Sequence, residues 1–247
     1  MRPGSGRWVY GRHVVEESLG SSTHKVIEVW LARDRKGELG RMGDLAQRRG
    51  ARVRWVSRRD LDRMCTGGGH QGMAARLAEG PSGGLKDFLA GLSPEEKART
   101  VLVALDQIQD PHNFGAIARS AACMGVAGLL YPDRRNAPIT QAVMSASAGA
   151  IQKIRTFEVP NLANALRMLK EAGFWVYGAD MSGRKVWEVR FNRPLVLVVG
   201  SEGQGMRPLV RSCCDEVAAI PQSPGGVDSL NVSCAASVLL YEISRQG

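Results

Sequence analysis

The chain of 247 residues reads as an α/β protein whose larger part is a mostly parallel sheet covered by helices on both faces. Three observations predict this. From Val101 onward, near-continuous apolar runs alternate with stretches of helical period, the pattern of strands buried on both sides. One run, LVLVV at 195–199, passes directly into Gly200, Glu202, Gly203 and Gly205, and such glycines let backbone approach a ligand closely. Before residue 80 the alternation is shorter and richer in arginine, which predicts a separate small α/β unit.

In that first unit, Trp8–Tyr10, Val26–Ala32, Arg52–Ser57 and Met73–Leu77 read as strands, with helices around Val14–Leu19, Gly40–Arg49 and Arg59–Cys65. Residues 81–98 are rich in Gly, Pro and Ser and read as a linker between a domain at 1–80 and one at 99–247. A helical turn at Leu85–Leu89 and a helix start at Ser93, Pro94 and Glu96 interrupt it. The second domain then gives strands at Val101–Leu105, Gly128–Tyr131, Phe174–Ala179, Leu195–Val199 and Glu216–Ile220. The helix after the first of these is expected to carry Ala116, Ile117, Ser120, Ala121 and Met124 inward and to end near Gly125, with Asn113 as its cap or pre-helix residue. Ligands of open parallel sheets gather beyond the carboxyl ends of the strands, where Gly200 and Pro221 fall. Pattern alone therefore predicts an ordinary doubly wound order.

Composition excludes several classes. With 44% hydrophobic and 23% charged residues the chain is ordinary globular protein, and no run approaches the ~18 apolar residues of a membrane span. A soluble cytoplasmic protein is expected. The formal net charge of +9 is concentrated in the first 80 residues, which carry 16 Lys+Arg against 9 Asp+Glu. Such an excess attracts a polyanion, which makes nucleic acid the natural partner, although a solvated basic surface gives the same count. Five cysteines, at 65, 123, 213, 214 and 234, show no metal-ligand spacing and read as reduced thiols, with Cys123 and Cys234 as core fillers. No metal is assigned.

Three segments carry the candidate chemistry. LVALDQIQDPHNFGAIARSAACMGVAGLLYP, 102–132, places Asn113 and Arg119 about a strand-to-helix turn; LVLVVGSEGQGMRPLV, 195–210, holds the glycine turn; IPQSPGGVDSLNVSCAASVLLYE, 220–242, joins a Gly-rich turn to a helix with Ser229 and Asn231 at the junction. A helix start offers free N–H groups and these two neutral side chains to whatever sits above it, though for an isolated Ser-x-Asn the better explanation is that Ser229 caps the helix and Asn231 solvates its first turn. In this order and near these spacings the segments resemble the three signature motifs of the SpoU/TrmH family of RNA ribose 2'-O-methyltransferases, within the SPOUT superfamily. YGRHVVEESL (10–19) and GGGHQGMAARL (67–77) look like that family's L30e-like RNA-binding extension, which narrows the resemblance to the 23S rRNA guanosine 2'-O-methyltransferase branch. The turn with Pro224 and a double glycine is about one residue longer than the common family form.

The resemblance implies a C-terminal trefoil-knotted sheet (SPOUT), an exception to the usual absence of knots, and a homodimer. It implies S-adenosyl-L-methionine as cofactor, held by backbone at Gly200, Ile220 and Leu230, and RNA as substrate: 23S rRNA first, tRNA as the alternative. Asn113, Arg119, Glu202, Ser229 and Asn231 are its catalytic positions. A guanidinium is always protonated and is a poor base, so Arg119 is expected to clamp a substrate phosphate and to stabilise developing oxyanion charge. Glu202 fixes the loop or bonds the substrate, while Ser229 and Asn231 orient Arg119 or the ribose. His70 and Gln71 either contact RNA or form their turn. Two other classes stay open: a noncatalytic RNA-binding protein, and a dinucleotide enzyme using GSEGQG, whose glycine order GxxGxG differs from the fingerprint GxGxxG.

Overall fold

The computed structural model describes residues 7–20, 26–65, 69–77, 84–137, 139–223 and 229–247. It divides into two compact units, Met1–Ser82 and Gly83–Gly247. The first contains β1 (Arg7–Tyr10), α1 (Arg12–Gly20), β2 (Val26–Ala32), α2 (Lys36–Arg48), β3 (Arg52–Val56), α3 (Arg58–Met64) and β4 (Met73–Leu77). Its sheet runs β1-β4-β2-β3, with β2 and β3 parallel and the other pairs antiparallel. The one charge within β2, Glu28, is buried and is met by Arg54 at 2.9 Å and Arg76 at 3.2 Å from the two neighbouring strands. Buried charge persists only when paired in this way.

His70 and Gln71 form their turn. His70 is 4% exposed, its Nδ1 accepts the Gly72 N–H at 3.0 Å and its Nε2 lies 2.9 Å from Asp62 Oδ1. Gln71 adopts φ 50° and its Oε1 accepts the Arg12 N–H at 3.0 Å. His70 holds the turn through both ring nitrogens and Gln71 through its Oε1.

The second unit contains α4 (Leu85–Ala90), α5 (Pro94–Arg99), β5 (Val101–Asp106), α6 (Pro111–Cys123), β6 (Gly128–Pro132), α7 (Gln141–Ala146), β7 (Arg155–Val159), α8 (Leu162–Glu171), β8 (Trp175–Lys185), β9 (Leu195–Gly200), α9 (Pro208–Arg211), β10 (Glu216–Ala219) and α10 (Val232–Arg245). The strands form one six-stranded sheet, β10-β8-β9-β5-β6-β7, in which every pair is parallel. On one face Leu102, Ala104, Val196 and Val198 pack with Leu166 of α8 and with Leu85 and Phe88 of α4. Those two side chains stand three apart and so share one helix face, which draws part of the span read as a linker into this core. Val103, Leu105, Leu197 and Val199 alternate to the other face, where Ile117 of α6 and Leu239 of α10 are also buried.

Several expectations need correction. β7 was not expected, because its residues alternate, with Arg155 and Glu158 exposed at the sheet edge, and present no apolar run. α6 starts earlier than its apolar period suggests: Asp110 is its cap, accepting the His112 N–H at 3.0 Å, and Asn113 lies inside the helix, 9% exposed. The buried face is Asn113, Phe114, Gly115, Ile117, Ala118 and Ala121; Ala116, Ser120 and Met124 lie at its margin. Cys123 and Cys234 are exposed, whereas Cys65 and Cys213 are buried. Burial pushes the thiols of Cys65 and Cys214 up to about 11 and about 12, which leaves both unreactive.

α6 meets α7 at Gly115, where an added Cβ would lie 2.8 Å from the Val143 carbonyl oxygen and 2.9 Å from the Ser147 nitrogen. Backbone cannot yield as a flexible side chain does. Gly115→Ala should therefore lower unfolding free energy by about 1–3 kcal/mol, read as a drop in the urea midpoint at unchanged slope.

Candidate active site

The site is assembled where β5 and β9, paired at the centre of the sheet, release their chains. Gly200 ends β9 against the backbone of Gly205 and Met206, so close that any Cβ would collide with both. The turn between them is closed by Ser201 N–H to Gly205 O at 3.1 Å and Gly205 N–H to Ser201 O at 2.9 Å, with Gly203 at φ 80° and Gly205 at φ 66°. Glycine is required here by both space and backbone angle. Immediately beyond, Arg207 turns back onto the fully buried Asp106 at the end of β5: its N–H donates to Oδ2 at 2.8 Å and its Nε to Oδ1 at 2.7 Å. A charge-assisted contact of this kind fixes both position and angle of the turn.

Two clefts open beside this turn. The larger, about 470 Å³, is lined by Gly200, Met181, Ile220, Ser229, Leu230 and Leu239 among others, and also by the carboxylates of Asp180 and Glu202. Burial works against ionisation of Asp180, but hydrogen bonds from Ser182 and the Arg211 guanidinium at 2.7 Å outweigh it and hold its carboxyl below the usual range. The smaller cleft, about 330 Å³, is lined by Gln107, Gln109, Asp110 and Asn113. Ser201, Glu202, Gln204 and Val232 line both and form the wall between them.

That wall is braced by one amide. Asn231 caps α10: its Oδ1 accepts from Ser233 N at 2.9 Å, Ser233 Oγ at 2.5 Å and Cys234 N at 3.4 Å. Its Nδ2 donates to Asn113 Oδ1 at 2.8 Å and to Glu202 Oε1, which also accepts the Val232 N–H at 3.3 Å. Asn231 rather than Ser229 is thus the helix cap.

Of the residues singled out by sequence, Asn113, Glu202 and Asn231 form one hydrogen-bonded cluster, and Gly200, Ile220, Ser229 and Leu230 line one cleft. Arg119 joins neither. It is exposed on α6 and makes no hydrogen bond or ion pair with the described residues. The turn with Pro224, Gly225 and Gly226 lies outside the described residues. Sequence reasoning missed Asp106, Arg207 and Asp180. A lone carboxylate closing an apolar strand was the available signal for Asp106; its partner, 101 residues away, carried none.

Comparison with known proteins adds independent findings. A family model described as the SpoU rRNA Methylase family matches residues 100–241, and one described as RNA 2'-O ribose methyltransferase substrate binding matches residues 8–81. The chain is 39% identical over 241 residues to a Bacillus subtilis protein named for the TrmH family of tRNA/rRNA methyltransferases, covering 97% of this chain and 95% of that one. It is 37% identical over 242 residues to the 23S rRNA (guanosine-2'-O-)-methyltransferase of Xanthomonas campestris, covering 97% and 96%. Among solved structures, the SpoU methyltransferase AviRb of Streptomyces viridochromogenes, in complex with the cofactor AdoMet, shares the fold with a TM-score of 0.78 at 23% identity, over 98% of this chain and 90% of that one.

The bracing role of Asn231 is separable from any chemistry. Asn231→Ala removes the cap of α10 and should cost about 0.5–2 kcal/mol of stability, measured by urea unfolding of the full chain without ligand.

Proposed function

Since this chain belongs to the SpoU rRNA methylase family, we propose that it transfers a methyl group from S-adenosyl-L-methionine to the ribose 2'-hydroxyl of a guanosine in 23S rRNA. The observation that carries this reading is the pair of clefts sharing one wall at Glu202 and Val232, which Asn231 braces, with room for a donor on one side and an acceptor on the other. The larger cleft suits the cofactor: an apolar lining of Val199, Met181 and Leu239, three chain turns at Gly200, Ile220 and Leu230 within reach of an adenosine, and the Glu202 carboxylate, which makes no ion pair with the described residues, to face its cationic end. When bound, the cofactor supplies an electrophilic methyl on sulfonium sulfur.

The chain's own residues then do four things. Gly200, Ile220 and Leu230 hold the cofactor by backbone. Asn113, Asn231 and Glu202 fix the wall against which the ribose is placed, so that the 2'-oxygen approaches the methyl in line. Ser229 orients the ribose from the larger cleft. Arg119, which makes no hydrogen bond or ion pair among the described residues, clamps a substrate phosphate through its planar fork, and the hydroxyl proton leaves through phosphate or water.

Three further features belong to the same reading. Residues 1–80 act as an L30e-like domain that supplies RNA affinity; the match of 8–81 to a substrate-binding family and the basic excess of that segment support it. The second unit is a trefoil-knotted sheet, supported by a chain that leaves the edge strand β10 and returns across the sheet to lay α10 on α6, where Ser237 and Ser120 hydroxyls meet at 2.7 Å. The protein is a homodimer acting in the cytoplasm. Cys234, Val238 and Tyr241 form an exposed stripe along α10, with Val238 42% and Tyr241 59% exposed, a surface suited to an isologous contact. No helix among the described residues is long and apolar enough to cross a membrane. A tRNA guanosine is the second reading, and the Bacillus relative's name, which gives tRNA beside rRNA, favours tRNA as the substrate class.

Two measurements test this. Sedimentation should give a dimer at micromolar protein, and Tyr241→Glu should shift it toward monomer. Arg119→Ala should lower single-turnover methylation of a 23S rRNA fragment by about 100-fold or more, with S-adenosylmethionine affinity unchanged. Arg119→Lys should stay impaired from neutral to alkaline pH; recovery at high pH would make the residue a base and overturn the clamp.

A further inference from the structure

The smaller cleft holds more hydrogen-bonding capacity than the chain uses. Gln107, Gln109 and Gln204 line it, and their side-chain amides make no hydrogen bond with the described residues. Asn113 accepts through Oδ1 from Asn231, which leaves its Nδ2 as an unspent donor. Asp110 uses Oδ1 to cap α6 through the His112 N–H at 3.0 Å, and its Oδ2 accepts no hydrogen bond from the described residues. Asn113 is buried and Gln107 half-buried, and polar groups so placed normally find partners, whereas Gln109, Asp110 and Gln204 stand exposed around the mouth of the cleft. A concave wall of unspent amides beside a carboxylate is a site prepared for a ligand with a dense polar edge.

Backbone strain marks the same place. Gln107 adopts φ 65°, a left-handed angle that non-glycine residues rarely take. It is held there from the next residue: Ile108 N–H donates to Asn136 Oδ1 at 2.8 Å, and Ala137 N–H donates to Ile108 O at 2.7 Å. The loop is therefore locked with Gln107 on the rim of the cleft rather than relaxed into the β region.

We infer that this cleft reads the base of the acceptor nucleotide as guanine, with Asp110 receiving the base's N1–H and N2–H and the glutamine and Asn113 amides donating to O6. This rests on the methyltransferase reading above and assigns it a specificity determinant. The argument is one of matching edges. Guanine alone among the four bases presents two adjacent donors, which suit a carboxylate, followed by an acceptor, which suits an amide N–H. Cytosine and adenine present a single amino donor next to an acceptor, and uracil presents one N–H between two acceptors. Each of those would leave the Asp110 carboxylate facing a lone pair. RNA bases are read on such edges once they are splayed out of the stack. The cleft's volume of about 330 Å³ falls within the range of small-ligand sites.

The experiment uses the full-length protein and a 23S rRNA fragment. The wild type first locates the methylated guanosine, and a ligated copy then carries inosine at that position. Inosine lacks only the N2 amino group. The wild type should methylate the inosine RNA about 10–100-fold more slowly in kcat/KM, the loss of one hydrogen bond to a charged group. Asp110→Asn keeps the cap oxygen, replaces the free acceptor by a donor, and should treat the two RNAs within about threefold of each other. Equal rates on both RNAs for the wild type, or a discrimination ratio kept by Asp110→Asn, overturns the assignment. A wild type that methylates no guanosine although it transfers methyl to another nucleotide also overturns it. Failure of any transfer from S-adenosylmethionine would instead defeat the methyltransferase reading itself.

Discussion

The whole site hangs on the contact between Asp106 and Arg207. A carboxylate with no solvent exposure at the end of the central strand must be neutralised or paired, and the contact that satisfies both of its oxygens brings the chain after the glycine turn back over β5. That return forces the turn into so small a space that Gly200 cannot carry a side chain. It also sets Ser201, Glu202 and Gln204 above the strand ends as a partition. Both clefts are what remains on either side of it.

The partition makes economical use of few polar groups. Glu202 receives Asn231 Nδ2 and the Val232 N–H through one oxygen, so the turn is tied to the start of α10, and Asn231 in turn ties α10 to α6 through Asn113. Three elements from separate parts of the chain are locked by a single amide. In the proposed reaction this rigidity matters more than any one contact, because methyl transfer needs donor and acceptor atoms aligned before the bond changes begin, and a preset wall removes the need to order them later. In the proposed reading specificity is only partly separate from that machinery: Gln107, Gln109 and Asp110 lie on the loop after β5, while Asn113 belongs to the brace and Gln204 to the partition.

The sequence made the repetitive parts legible and the paired parts opaque. Apolar runs marked the central strands, since strands buried on both faces need no alternation, and the glycine turn after β9 announced a close approach of backbone. β7 escaped notice because an edge strand with Arg155 and Glu158 outward carries no such run. The start of α6 was misplaced because the local cap Asp110 was passed over in favour of Asn113, whose burial depends on an amide 118 residues later. Cys123 and Cys234 sit on helix faces of small residues, a composition that fits an interior as well as a surface awaiting a partner, and only the packing of α6 on α10 separates the two. The gathering of three motifs into one place came from resemblance, not from any periodicity.

The separations just named also shape how the protein folds. Asp106 and Arg207 stand 101 residues apart, and Asn113 and Asn231 118 apart, so each contact closes a very long loop and returns nothing until that closure has been met. The pairing of β6 with β5 and with β7 is far more local and can form early, whereas the contacts that define the partition belong to the slow, high-contact-order end of the process. An intermediate with most of the sheet in place but α10 undocked would have an ordered core and neither cleft walled. The central pair of the sheet, β5 with β9, itself joins residues 94 apart, so the strand ends and the partition above them close with the same long loop, and neither cleft exists until it has closed.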